Sequence, residues 1–184
     1  MVDAGDLARS AHRFTHLEFL REAMEAACKC EALPGAFSVG CVIVTHWPEL
    51  HSPPIKLSTG YSRELPGNTH AEANALSKVD ALSTADLMEV FGQQPPSTKD
   101  ILKNADVYTT MEPCSVRTSG LSPCANALIE ANVRRCFIGV KEPTDFVVCE
   151  GAKKMADIGI EIIWLEEVAD ECLAIARKGH PLQP

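Results

Sequence analysis

The sequence predicts an α/β domain, a mixed five-stranded sheet with helices on both faces. Three observations carry that reading. Apolar spacing switches repeatedly between the helical and the strand period. The elements follow the order helix, strand, strand, helix, strand, helix, strand, helix, strand, helix, with no repeat, low-complexity stretch or linker between them. The last two strands are separated by about twenty residues that include a helix, which suits a crossover between parallel neighbours better than a hairpin.

Each element has a local cause. The first helix is expected to start at Thr15, where Thr15-His16-Leu17-Glu18 fits a capping box flanked by Phe14 and Phe19 as a hydrophobic staple. Leu20, Met24 and Ala27 then recur at helical spacing, and Pro34 and Gly35 end the element. Residues 1–13 are expected to form an N-terminal extension to a single domain covering 1–184. The run 38–44 is β-branched and continuous enough for a central strand. The run 56–61 pairs back on it across a loop holding Pro48, Pro53 and Pro54. A second helix opens at Thr69 and runs through Leu76. The polar excursion 80–104 contains a short helix over 83–91 and the loop-like stretch Gln93-Gln94-Pro95-Pro96-Ser97. Strand 106–111 follows. Ser122-Pro123 supplies a cap and a first-turn proline for a helix through Ala131. A strand over 137–140, a helix over 152–158 stopped by Gly159, a strand over 160–165 and a helix over 168–178 closed by Gly179 complete the chain.

Composition narrows the function. The 184 residues are 46% hydrophobic and 23% charged, enough for a real core. No apolar run approaches the roughly 20 residues of a membrane span, and the first residues lack the apolar stretch of a secretory signal. The expected compartment is therefore cytoplasmic or nuclear, with no membrane partner, and the eight cysteines do not read as four disulfides. With 17 basic against 25 acidic residues the net charge is −8, which argues against a nucleic-acid partner. A small anionic ligand needs only one or two well-placed arginines.

Three soft-metal ligands fall at element junctions: His70 at the start of the second helix, Cys114 just after the third strand, and Cys124 in the first turn of the third helix. Two thiolates and an imidazole suit Zn²⁺, and three protein ligands leave a position for water, the arrangement of a catalytic zinc. Glu72, two residues beyond His70, faces that position as a proton carrier without binding the metal. Taken singly, each has a plainer reading. His70 reads as a surface histidine, Thr69 and Glu72 as a capping box, and the two Pro-Cys pairs as packed thiols. Jointly, His-x-Glu at a helix start, then Pro-Cys after a strand and Pro-Cys at a helix start, is the zinc deaminase pattern. The usual spacing is Pro-Cys-x-x-Cys, whereas nine residues separate Cys114 from Cys124, so an inserted loop arches beside the pocket.

Gly67-Asn68-Thr69-His70-Ala71-Glu72, the run from Thr110 through Cys114, Arg117, Ser119 and Gly120 to Pro123-Cys124, Gly139-Val140-Lys141-Glu142-Pro143 and Lys178-Gly179-His180 carry a resemblance. With these residues the chain resembles the fungal riboflavin-pathway pyrimidine deaminases of the cytidine-deaminase-like family, from about Thr15 to His180. The resemblance implies a three-layer cytidine-deaminase-like fold and zinc-dependent hydrolysis of the amino group at ring carbon 2 of 2,5-diamino-6-ribitylamino-4(3H)-pyrimidinone 5′-phosphate. The products are 5-amino-6-ribitylamino-uracil 5′-phosphate and ammonia. It implies that His70, Cys114 and Cys124 hold zinc and that Glu72 shuttles protons. The backbones of Ala71 and Glu112 meet the pyrimidine edges, and Asn68 meets the base or the ribityl chain. Ser38 stands where relatives often carry Asn and is a further contact. Bacterial relatives have a His where this chain has Val116, so Arg117 is the replacement candidate for the phosphate contact, with Ser119 on the same loop and with Arg63, Arg134, Arg135 and Lys141 also available. The family forms dimers or larger assemblies, which implies a homodimer, and the length implies a deaminase without a fused reductase or pseudouridine-synthase-like domain.

Two alternatives stay open: a cytidine- or tRNA-adenosine-type deaminase, and a noncatalytic subunit that keeps zinc only for structure. The remaining six cysteines are read as packing thiols. His46, Trp47 and His51 read as a decorated surface loop, and 80–104 as a surface insertion.

Overall fold

A computed structural model describes residues 4–47, 53–117, 120–143 and 149–179, with side chains from residue 15 onward. Helix α1 (Ala4–Ala27) begins before the expected Thr15. Ala, Leu and Arg upstream are strong helix formers, so Thr15 lies inside the helix and its box does not start it. Strands β1 (Gly40–Thr45) and β2 (Ile55–Tyr61) form the expected antiparallel pair, with an irregularity between Ile43 and Val44. Then come α2 (Ala71–Asp80), α3 (Thr84–Phe91), α4 (Thr98–Leu102) and β3 (Ala105–Met111). The chain continues with α5 (Cys124–Glu130), β4 (Arg135–Val140), α6 (Gly151–Asp157), β5 (Glu161–Trp164), a 3-10 turn (Glu166–Val168) and α7 (Ala169–Ala176). Helix α4 was not expected. It is a five-residue turn on a polar segment, opened by Ser97, whose hydroxyl accepts from the Asp100 N–H.

The strand order is β2-β1-β3-β4-β5. β1 is antiparallel to both neighbours, whereas β3, β4 and β5 run parallel, as the crossover lengths required. Period-two alternation divides the core. Cys41, Ile43, Val107, Cys136 and Ile138 face α2, α5 and α6. Val42, Val44, Tyr108 and Phe137 face α1 and α7. The sheet is thus covered on both faces, and β3 is buried along its whole length.

Pairing direction decides which chain ends meet. The N-terminal end of β1 lies beside the C-terminal ends of β2, β3 and β4; the hairpin tip lies at the opposite end of the sheet. There His46 Nε2 stands 2.9 Å from Asp106, Trp47 packs edge-on to Phe91 at 5.8 Å, and the Thr45 hydroxyl donates to the Ile101 carbonyl at 3.2 Å. The segment 80–104 therefore covers the tip end; His51 lies outside the described residues.

Asp106 anchors that end. It is fully buried, and Arg134 and Arg135 donate to it at 3.0 and 2.5 Å. Burial alone would raise its carboxyl, but the bonds from His46 and the two arginines reverse this and hold it well below the usual carboxylate range. A depressed folded value stabilises above the unfolded value of about 4, and that contribution is lost as pH falls below it. Asp106→Asn should therefore lower the unfolding free energy at pH 7 by about 3 kcal/mol or more in urea titrations, with the gap to wild type closing below about pH 4.

Candidate active site

Three elements end at one place. His70 is the N-cap of α2, in extended conformation (φ −102, ψ 153), and its ring makes no cap bond to the helix it starts. β3 runs out at Met111 into the loop carrying Cys114, and α5 begins at Cys124 with Pro123, not Ser122, as its N-cap. His70 Nδ1 lies 3.5 Å from Cys114 Sγ and 3.4 Å from Cys124 Sγ. Among the described residues, these three form the group able to share a metal ion, their ligand atoms all within 4.8 Å of one another. A tetrahedral zinc with bonds of about 2.1 Å to nitrogen and 2.3 Å to sulfur has N···S edges of about 3.6 Å, so the donor set and spacing fit zinc.

The loop is held rigidly. The Glu112 N–H donates to the Val140 carbonyl at 2.8 Å, and its carboxylate accepts from the Ala152 N–H at 3.0 Å. The Ser115 hydroxyl accepts from the Glu150 N–H at 3.0 Å, and the Ala125 N–H donates to the Cys114 carbonyl at 3.1 Å. Two glycines permit this packing. A Cβ on Gly151 would stand 1.7 Å from the Pro113 carbonyl oxygen, and one on Gly60 would stand 2.3 Å from the Ala71 carbonyl oxygen. Only glycine lets α6 close on the Cys114 loop and β2 on the start of α2.

Glu72 is 3% exposed and accepts from the Thr109 hydroxyl at 3.3 Å. The Thr69 capping box does not form. The Thr69 hydroxyl takes a bond from Asn74 Nδ2 at 3.0 Å instead, leaving the Glu72 carboxylate to the site. Burial raises the Glu72 carboxyl, and the neighbouring Cys114 adds to this while His70 opposes it. The two thiols divide one proton. The hydrogen bond from Cys124 lowers Cys114, whereas that same bond and burial hold Cys124 well above the usual thiol range. The Cys124 N–H also donates to Cys114 Sγ at 3.3 Å, favouring the thiolate.

A cleft of about 260 Å³ opens over this group, with Asn68, Glu112 and Arg117 in its lining. Arg117 donates to the Asn68 carbonyl at 2.6 Å and to the Ser122 carbonyl at 3.5 Å, strapping the inserted loop to the segment before His70. Two expected contacts do not line the cleft: Ala71, which is fully buried, and Ser38. Ser38 is 2% exposed, its N–H donates to the Ala176 carbonyl and its hydroxyl accepts from Arg63 at 3.3 Å, so its neighbours Phe37 and Val39 line the cleft instead. Ser119 lies outside the described residues. Glu142, part of one of the motifs, and Arg63, one of the cations available for a phosphate, also line the cleft. Glu142 follows β4, and the C-terminal ends of parallel strands are where ligands bind, a signal that was present. Cys149 also differs from a plain core thiol, since it donates to the Pro113 carbonyl at 3.5 Å.

A family model for the cytidine and deoxycytidylate deaminase zinc-binding region matches residues 14–140. The chain belongs to this deaminase family. It is 38% identical over 168 residues to the diaminohydroxyphosphoribosylamino-pyrimidine deaminase of Schizosaccharomyces pombe, covering 91% of this chain and 36% of that protein. It is 29% identical over 125 residues to riboflavin biosynthesis protein RibD of Actinobacillus pleuropneumoniae, covering 68% and 26%. The chain spans about a third or less of the length of these relatives. Among solved structures it resembles the Aspergillus oryzae Rib2 deaminase, a C-terminal deletion mutant, with 31% identity and a TM-score of 0.71 over 90% of this chain and 92% of that one. That protein has also been crystallised with DARIPP. The fold is therefore cytidine-deaminase-like, as the sequence implied.

The protein should bind one zinc per chain, measured by elemental analysis, and Cys114→Ala or His70→Ala should abolish it. Because Cys124 must shed its proton on binding, zinc affinity in chelator competition should rise with pH between 6 and 8. Gly151→Ala changes no ligand, yet should weaken zinc at least tenfold by pushing the Pro113 carbonyl away.

Proposed function

We propose that this chain catalyses zinc-dependent hydrolytic deamination of 2,5-diamino-6-ribitylamino-4(3H)-pyrimidinone 5′-phosphate at ring carbon 2, yielding 5-amino-6-ribitylamino-uracil 5′-phosphate and ammonia. One observation carries the reading: a buried carboxylate, freed from any cap, stands beside a three-ligand His/Cys/Cys group at the floor of an open cleft. The similarity to the fission yeast deaminase and to the Aspergillus Rib2 deaminase crystallised with DARIPP supports the substrate class.

His70, Cys114 and Cys124 would hold the zinc, which when bound would supply a water activated for attack at neutral pH. Glu72 would carry both protons of the attacking water, one to the ring nitrogen and one to the leaving amine, so that water and the C–NH₂ group become a carbonyl and ammonia. A raised carboxyl suits this exchange, because it accepts a proton readily and gives it back. The backbones of Ala71 and Glu112 hold the pyrimidine edges, Asn68 the base or ribityl chain, and Arg117 the phosphate, with Ser119 on the same loop. A homodimer in the cytoplasm completes the proposal.

Glu72→Gln should retain zinc and melting temperature while ammonia release falls about 10³-fold. The wild type should favour the ribitylamino phosphate over its ribosylamino counterpart and over deoxycytidylate. Near-normal deamination by Glu72→Gln, or a preference for deoxycytidylate, would overturn the assignment.

A further inference from the structure

Thr109 places a hydroxyl on an apolar face. It lies in the C-terminal half of β3, a strand buried along its whole length, and is itself fully buried. Its register partners are Cys41 on β1 and Ile138 on β4, and Val107 precedes it on the same face of the sheet. All three pack as apolar groups. Valine has nearly the same shape and an equal preference for strands, so neither packing nor strand formation calls for the oxygen. A hydroxyl taken out of water into such surroundings is destabilising unless it is bonded.

The bonds it makes both lead to the cleft. Thr109 Oγ1 lies 3.0 Å from the Met111 carbonyl and 3.3 Å from Glu72 Oε1, and a hydroxyl has one proton to share between two such acceptors. Met111 and Glu72 both line the cleft. The Met111 side of this bridge is fixed, because the N–H of the same peptide group, that of Glu112, donates to the Val140 carbonyl at 2.8 Å. The Glu72 side is the adjustable one. Helix α2 holds its backbone, but its carboxylate stands at the end of three side-chain torsions, and the cap that would have tied it to Thr69 is not formed. The carboxylate is also bonded by its own N–H and by the Cys124 thiol, which belong to the helix and to the ligand set. Thr109 is the partner that belongs to the sheet.

We propose that Thr109 is a positioning residue for deamination, its hydroxyl setting the orientation of the Glu72 carboxylate relative to the Met111–Glu112 peptide against which the substrate ring lies. This rests on the deaminase reading given above. One rigid strand then fixes both the proton carrier and the edge that the ring meets, so their separation does not drift with the helix. Such positioning acts on the step in which protons move and leaves ring binding unchanged. The 3.3 Å contact is long for a bond to a carboxylate, and bonds to catalytic groups tighten when the substrate complex forms.

The test measures kcat and KM for the ribitylamino pyrimidine phosphate in wild type, Thr109→Val and Thr109→Ser, each normalised to zinc content and checked for melting temperature. Thr109→Val keeps the shape and removes the oxygen, whereas Thr109→Ser keeps the oxygen. In Thr109→Val kcat should fall about 10- to 100-fold with KM within about twofold of wild type, and Thr109→Ser should recover kcat to within about threefold. If the hydroxyl serves only the Met111 carbonyl, the ring-binding peptide shifts instead: KM rises, or zinc content and melting temperature fall, while kcat per zinc stays constant, which overturns the proposal. The crystal structure of each zinc-loaded protein gives a readout without turnover. Glu72 should hold one carboxylate orientation in wild type and Thr109→Ser and spread over more than one in Thr109→Val; a single unchanged orientation in Thr109→Val overturns the proposal. Should Thr109→Val not fold, Thr109→Ala is read by the same criteria. A wild type that releases no ammonia sinks the deaminase reading, and the crystallographic comparison then decides by itself whether Thr109 holds Glu72.

Discussion

Two cysteine sulfurs, Cys114 and Cys124, are buried within contact of the same histidine nitrogen, with a carboxylate beside them. Such a group is electrostatically unstable by itself. The sulfurs share a proton, one pulled down and the other pushed up, and burial raises Glu72. A dication removes the conflict, since it turns two competing thiols into two thiolate ligands. The surroundings keep the ligands from spreading apart. The Cys114 loop is bound to β4, to the start of α6 and to α5, and Gly151 allows α6 to approach closer than any other residue would.

The sheet makes that convergence possible. β3 is central and fully buried, pinned at its start by Asp106 with its two arginines and His46, and its far end delivers Cys114. Because β1 runs against β3 while β4 runs with it, the helices that follow β2 and β3 both begin at the same edge. The site therefore needs no ligand from the hairpin tip or from 80–104, which lie at the other end. The long interval between the two cysteines lets Arg117 reach back to Asn68, so one loop closes the cleft wall and connects the ligand segments.

What was legible in the sequence was local. His-x-Glu at a helix start and two Pro-Cys junctions mark the ligands, because the requirement for soft donors at rigid, open positions is met within a few residues of each. Strand runs and the last crossover length likewise give the antiparallel hairpin and the parallel direction of the last two strands. What escaped depended on distant partners. Thr69 and Glu72 fit a capping box by spacing, yet Asn74 claims the hydroxyl and Thr109 the carboxylate. Thr15 has the chemistry of a cap, but good helix formers upstream carry α1 through it. Ser38 occupies a position expected to face substrate, and its bond from Arg63 turns it into the wall. Arg63 looked like one surface arginine among several until carbonyls separated by β1 and β2 placed it in the cleft.

The central claim is an open three-ligand zinc site, as opposed to a closed structural one, and X-ray absorption at the zinc edge of the metal-loaded protein tests it most directly. The account requires two sulfurs at about 2.3 Å and two nitrogen or oxygen neighbours at about 2.0 Å, one of them exchangeable with small anions. A third sulfur, or a fourth ligand that no added anion displaces, would contradict it.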